Sequence, residues 1–289
     1  MPQSGIINAM SVDVEDYFQT EAMTLVAPRD RWDGFDRHVV RNTERLFELF
    51  SRHNVRATMF FLGWIAEHHP ELVREAASRG HEVACHSYWH RPVFHLSSEE
   101  FREDTLRAKN RIEDCAGVAV IGYRAPSFSI TSATPWAHEV LAELGFKYDS
   151  SVNPIRHGFY GNHNARRTPH KVAGELLELP ITTWSVLGQN LPAGGGAYLR
   201  VLPYALVANG VRAMNRREGQ PAMIYLHPWE IDDDQPRLPA SRLSRIRQYT
   251  NLDKMERKLE RLIKEFPFST IREAFLMEQP APAAPVAAG

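Results

Sequence analysis

The chain has 289 residues, 43% of them hydrophobic and 24% charged, with a formal net charge of -1. That length allows one large α/β domain or two small ones, and the balanced charge argues against nucleic acid or an anionic membrane as the main partner. Two cysteines, Cys85 and Cys115, imply no disulfide framework.

No window approaches the roughly 18 apolar residues of an integral membrane segment. Residues 1–10 lack a basic stretch followed by a long apolar one, so no signal peptide is expected and a cytoplasmic protein is.

Short apolar runs alternate with amphipathic segments, the pattern of βα units. Residues 6–12 predict a strand, and residues 39–53 a helix with Val39, Thr43, Leu46, Phe47 and Phe50 on one face. Residues 57–62 predict a buried strand. A helix then runs to Arg79 and stops at Gly80, a left-handed terminator. Residues 82–85 form a short strand, with Cys85 a buried strand cysteine. Ser97 and Glu100 fit a capping box for the next helix. A strand at 118–123 and a helix at 134–144 lead to Phe146-Lys147-Tyr148-Asp149. Residues 150–175 are irregular, a rim or lid. Strands follow at 176–179 and 222–226, with helices at 198–217 and 253–266. Residues 1–278 are expected to form one catalytic domain, and the Pro/Ala-rich residues 279–289 a disordered tail.

The polar clusters all fall at the C-terminal ends of predicted strands, where β/α barrels assemble active sites. His86 and His90 follow the 82–85 strand. Asp13, Glu15 and Asp16 end the first apolar run. Two imidazoles and one carboxylate make an open zinc site, and crowded carboxylates are costly without a cation. If the first strand continues, Asp13 and Glu15 point the same way. If it stops at Asp13, Asp16 turns inward instead. Arg124 can pair with a carboxylate and hold it ionised. His227, at the end of an apolar strand, is poised for acid–base work. Trp184 and Trp229 are candidate walls for a sugar ring.

In family order, Ser11-Val12-Asp13-Val14-Glu15-Asp16, His86-Ser87-Tyr88-Trp89-His90, Arg124-Ala125-Pro126, Asp149-Ser150-Ser151 and Leu226-His227 resemble the NodB-type polysaccharide deacetylases of carbohydrate esterase family 4. Asp13-Val14-Glu15-Asp16-Tyr17-Phe18 and the run from Leu177 to Thr183 further resemble the subgroup of bacterial exopolysaccharide loci linked to exosortase. The resemblance implies a distorted (β/α) barrel with fewer than eight regular units. It implies Asp13 as base, Arg124 as the residue that orients it, His227 as general acid and Asp149 as the carboxylate tuning that acid. His86 and His90 would bind a divalent metal, Zn2+ by expectation, with Glu15 or Asp16 as third ligand. Ser127 would supply a backbone N–H to the oxyanion, and Leu226 would lie on the substrate side. The family motif has adjacent aspartates, whereas Val14 and Glu15 separate Asp13 from Asp16 here. Ser127 also stands where the family usually has an aromatic residue.

The implied reaction is metal-dependent removal of N-acetyl groups from a glycan polymer or its lipid-linked precursor, the expected partner. Two other readings use the same residues: hydrolysis of a small cyclic or linear amide, and a silent glycan-binding module. A module would have no need of both Asp13 and His227.

Overall fold

A computed structural model describes residues 5–156 and 161–276. The strands are β1 (Asn8–Val14), β2 (Thr58–Phe61), β3 (Glu82–Cys85), β4 (Gly122–Tyr123), β5 (Tyr148–Asp149), β6 (His170–Ala173), β7 (Leu176–Glu178), β8 (Thr183–Val186), β9 (Gln189–Pro192), β10 (Met223–Leu226) and β11 (Phe268–Ser269). The main sheet runs β10-β1-β2-β3-β4-β5-β7-β6, with β11 paired to the start of β1, and every pairing except β6–β7 is parallel. Lumen side chains from β1, β2, β3, β5 and β10 meet in one small apolar cluster. The fold is therefore a distorted (β/α) barrel with fewer than eight regular units. The β8–β9 hairpin stands apart as its own small sheet.

Helices pack around the sheet: α1 (Val39–Arg52), α2 (Gly63–His68), α3 (Pro70–Ser78), α4 (Ser98–Ala116), α5 (Trp136–Glu143), α6 (Gly196–Val201), α7 (Tyr204–Arg217), α8 (Arg242–Tyr249) and α9 (Leu252–Glu265), with α6 and α8 bordering the cavity described below. The expected cap of α4 forms, Ser97 Oγ accepting from Glu100 N–H and Glu100 accepting from Ser97 N–H. Gly80 is left-handed at φ 78°, as the stop after α3 requires. On α1, Leu46, Phe47, Leu49 and Phe50 are fully buried, each contributing roughly 1.5–3 kcal/mol.

Several boundaries differ from expectation. The first strand runs two residues further, to Val14. The helix expected up to Arg79 is two helices, because Pro70 cannot donate to a continuing turn and instead starts α3. Pro203 splits the helix expected at 198–217 in the same way. The 118–123 strand is only two residues long. β6 lies inside the stretch expected to be irregular, and residues 157–160 of that stretch and the tail at 279–289 fall outside the described residues.

Strand alternation divides the side chains between two cores. Met10, Val12, Val14, Met59, Phe61, Val83, Cys85, Tyr123, Ile224 and Leu226 pack outward beneath the helices. Ala9, Phe60, Ala84, Tyr148, Met223 and Tyr225 fill the lumen. The same parity sends Ser11 and Asp13 inward from β1, and it carries His86, Arg124 and His227 to the lumen just beyond their strands. Cys85 is a buried, outward-facing thiol, and burial pushes its pKa well up.

His81, at the α3–β3 junction, stacks on Phe47 (centroids 5.1 Å apart) and its Nδ1 accepts the Ala57 N–H at 3.1 Å. Burial lowers its pKa from the ordinary 6.5 to about 4. The unfolded imidazole thus takes up a proton that the folded one refuses. The stability this contributes is present above pH 6.5 and is lost as the pH falls to about 4, a change of roughly 3 kcal/mol. We expect His81→Gln, which keeps an acceptor for Ala57, to be less acid-sensitive than wild type by about that amount in urea denaturation at pH 7 and pH 4. Equal acid sensitivity of the two proteins would contradict this.

Candidate active site

The site lies at the C-terminal mouth of the sheet, in a cavity of about 670 Å3 bordered by Asp13, Glu15, His86, His90, Ser127 and His227. Its deepest element is Arg124, fully buried at 0% exposure. Nη1 donates to Asp13 Oδ1 at 2.6 Å and to Ser11 Oγ at 2.9 Å. Nε and Nη2 donate to the carbonyl and hydroxyl of Ser150 at 3.2 and 3.1 Å, and the guanidinium lies 4.2 Å from the Phe60 ring centre. Asp13 is thereby held in one orientation with its Oδ2 turned to the cavity side, 3.9 Å from His227 Nε2.

Glu15, His86 and His90 bring one donor atom each within 4.8 Å of one another, and all three residues are buried. His86 Nδ1 faces the Arg124 carbonyl at 2.8 Å. A carbonyl only accepts, so Nδ1 carries the hydrogen and Nε2 keeps its lone pair for the cluster. Burial, together with neighbouring His90, lowers the His86 pKa to about 4, leaving the ring neutral. Burial alone would raise the Glu15 pKa, but His90, His227 and His86 outweigh it and bring the carboxyl to about 2. Glu15 Oε2 is 2.8 Å from His90 Nε2 yet has no aligned donor. An ionised oxygen, a free imidazole lone pair and a second ring converging at the cavity wall fit a divalent cation.

Across the cavity, His227 Nδ1 faces Glu230 Oε2 at 3.2 Å, and the ring stacks on Trp229 at 5.2 Å. Burial would lower its pKa, but Glu230, Glu15 and Asp13 outweigh burial and raise it to about 9. The imidazole is therefore charged at neutral pH. Glu230 is itself paired with buried Arg200 at 2.8 Å. Lys258 Nζ holds α6 in place by donating to the carbonyls of Leu199, Arg200 and Leu202 at 2.8, 2.9 and 2.8 Å. Gly196 is obligatory, since a Cβ there would lie 1.8 Å from Glu230 Oε2. Trp229 Nε1 also donates to Glu15 Oε1 at 3.1 Å.

Four expectations need correction. Asp16 is not in the cluster: its Oδ2 accepts the N–H groups of His38 and Val39 at 2.8 and 3.0 Å, and its Oδ1 that of Tyr17 at 2.9 Å. With β1 running on to Val14, Glu15 is the acid that turns into the cavity and Asp16 caps α1. Asp149 does not reach His227. It pairs with Tyr123 across β4–β5, and Tyr123 faces outward, so Asp149 points outward too, toward His138 on α5 at 3.3 Å. Glu230 occupies the place beside His227. Leu226 is fully buried under the helices and its side chain faces away from the cavity. Trp184 sits on β8 and does not border the cavity, whereas Trp229 does.

Glu230, Arg200 and Arg29 were not anticipated. Arg29 donates to the carbonyls of Trp89 and His90 at 2.5 and 2.8 Å and clamps the histidine loop. In that loop Ser87 and His90 hold left-handed φ values of 66° and 51°, and Ser127 and Phe128 hold 54° and 50° beside them. Four such residues around one cavity are a mark of a functional site held by its surroundings. The signal for Glu230 was its position three residues after His227, within one turn.

Residues 32–148 match the family described as Polysaccharide deacetylase, and residues 150–276 match Domain of unknown function (DUF3473). A peptidoglycan deacetylase of Helicobacter pylori is 32% identical over 37% of this chain and 36% of its own length. A peptidoglycan-N-acetylglucosamine deacetylase of Bacillus cereus is 31% identical over 34% of this chain and 36% of its own length. The match thus spans about a third of these relatives. A solved structure from Mycobacterium smegmatis, provisionally described as a polysaccharide deacetylase, shares the fold with a TM-score of 0.55 and 23% identity, covering 91% of this chain and 93% of that one. His86, His90 and Arg124 fall in the first matched stretch and His227, Glu230 and Arg200 in the second, while Asp13 and Glu15 precede both.

Separating neighbours 15 and 16 gives a direct check. Asp16→Ala leaves three N–H groups without an acceptor and is expected to cost at least about 2 kcal/mol in urea unfolding while retaining the wild-type zinc content. Glu15→Gln is expected to stay folded and to lose one zinc per chain by elemental analysis. Zinc loss in the Asp16 variant alone would reverse the assignment.

Proposed function

We propose that the chain is a NodB-type polysaccharide deacetylase of carbohydrate esterase family 4 that removes N-acetyl groups from an N-acetylated sugar polymer or its precursor. The observation that carries this reading is the convergence, in one cavity, of the Glu15–His86–His90 cluster, the Asp13–Arg124 pair and a charged His227. We take residues 1–278 as a single catalytic domain, a reading supported by β10 and β11 flanking β1 in one sheet. The likeness of its Asp13–Phe18 run to exopolysaccharide-locus enzymes suggests an exopolysaccharide substrate.

Glu15, His86 and His90 would hold the divalent cation, zinc by its donor set, which supplies Lewis-acid polarisation of the acetamide carbonyl and of water. Asp13, held in place by the guanidinium of Arg124, accepts a proton from the attacking water. Ser127 lines the cavity, and its backbone N–H would stabilise charge developing on the acetamide oxygen. His227 is already protonated, and it gives that proton to the nitrogen as the C–N bond breaks, so the amine leaves neutral. Acetate and a free amino sugar result. Glu230 keeps the imidazole charged and oriented between turnovers, backed by Arg200. Among the described residues no helix is long and apolar enough to cross a membrane.

Acetate release from a chitooligosaccharide by the zinc-loaded protein is the test. We expect Asp13→Asn and His227→Ala each to lower kcat roughly 10²–10⁴-fold while zinc content stays at the wild-type level. No acetate from a panel of N-acetylated glycans, with glycan binding intact, would favour the silent module instead. Wild-type rates in the Asp13 variant would remove it as base.

A further inference from the structure

β5 and β7 each end in an acid facing the helices. Asp149 and Glu178 are direct partners across this parallel pair, and both are fully buried. One oxygen of each is engaged: the Ser151 hydroxyl donates to Asp149 Oδ1, and Val152 N–H donates to Glu178 Oε1 at 3.0 Å. The other oxygens, Asp149 Oδ2 and Glu178 Oε2, turn toward His138 Nε2 on α5, at 3.3 and 3.8 Å. These three atoms are buried, have no hydrogen-bond partner among the described residues, and lie within 4.8 Å of one another. Two carboxylates side by side in a dry interior require either protons or a cation. Burial, followed by the charge of Asp149, raises the Glu178 pKa well above its ordinary range, which measures how poorly the pair tolerates a second negative charge.

We propose that His138, Asp149 and Glu178 form a second metal site, separate from the cavity, that takes a divalent transition-metal ion. One imidazole and two carboxylates are a donor set suited to Zn2+ or Mn2+. The side chain of His138 is 14% exposed, which gives an ion access from the α5 side. The site is structural. It ties α5 to the ends of β5 and β7, and the run it anchors is the one that holds Arg124. Ser150 accepts from the guanidinium through its carbonyl and hydroxyl, and Ser151 Oγ accepts the Ala125 N–H at 2.7 Å. This inference stands independently of the deacetylase reading, because none of its three residues borders the cavity.

The test counts zinc after chelator treatment and reloading with Zn2+ alone. The double variant His86→Ala/His90→Ala is expected to retain one zinc per chain and to gain Tm when zinc is added. Adding His138→Leu to that background should remove the remaining zinc and the Tm gain. Glu178→Gln, which keeps an oxygen for Val152, should do the same and guards against a folding defect peculiar to position 138. A double variant that holds no zinc would overturn the proposal and leave His138⁺ with a shared acid proton as the neutralising arrangement. Zinc retained in either folded triple variant would overturn it equally.

Discussion

The ion pair between Arg124 and Asp13 is the constraint on which the rest of the structure depends. A guanidinium with no exposure sits at the C-terminal end of the barrel strands, bonded to β1 through Asp13 and Ser11 and to the end of β5 through Ser150. Such a pair contributes little net stability, because desolvation offsets the attraction. Removing one partner alone strands a buried charge, at a cost of about 3–5 kcal/mol. What the pair does provide is position. It draws three strands of a curled sheet to a common point and turns one oxygen of Asp13 toward the cavity. The carbonyl of Arg124 also fixes the tautomer of His86, so one residue orients both Asp13, the proposed base, and His86, a proposed cation donor.

Charge is distributed around the cavity in opposite senses by neighbours rather than by residue type. His86 is held neutral by burial at a pKa of about 4, while His227, only partly buried, is raised to about 9 by Glu230, Glu15 and Asp13. Two histidines in one pocket can therefore serve as a lone-pair donor and as a proton donor. The supports reach well beyond the cavity: Arg200 behind Glu230, Lys258 behind α6, and Arg29 behind the histidine loop.

Much of this was legible in the sequence. The βα alternation, the capping box at Ser97, the stop at Gly80 and the cluster of polar motifs at strand ends all correspond to features of the fold. Parity was the missing information. A strand end two residues further along decides between Glu15 and Asp16, and a two-residue strand such as Tyr148–Asp149 carries no pattern to say which side chain faces the lumen. Asp149 and Leu226 were assigned to the cavity by the resemblance alone, and alternation along their strands turns both side chains outward. Pro70 and Pro203 were visible breaks inside otherwise periodic segments. Arg200 was not recoverable, since nothing local marks an arginine on a short helix as the partner of an acid 30 residues away.

The central claim is that the acids at 13 and 15 divide the work, one paired with Arg124 and the other facing His86 and His90. Anomalous diffraction at the zinc edge from zinc-soaked crystals tests it most directly. The account predicts a peak in the cavity bounded by the Glu15 carboxylate and the rings of His86 and His90, with Asp13 still hydrogen-bonded to Arg124. A cavity peak ligated by Asp13 with Arg124 displaced, or by Asp16 with the start of α1 uncapped, would contradict it.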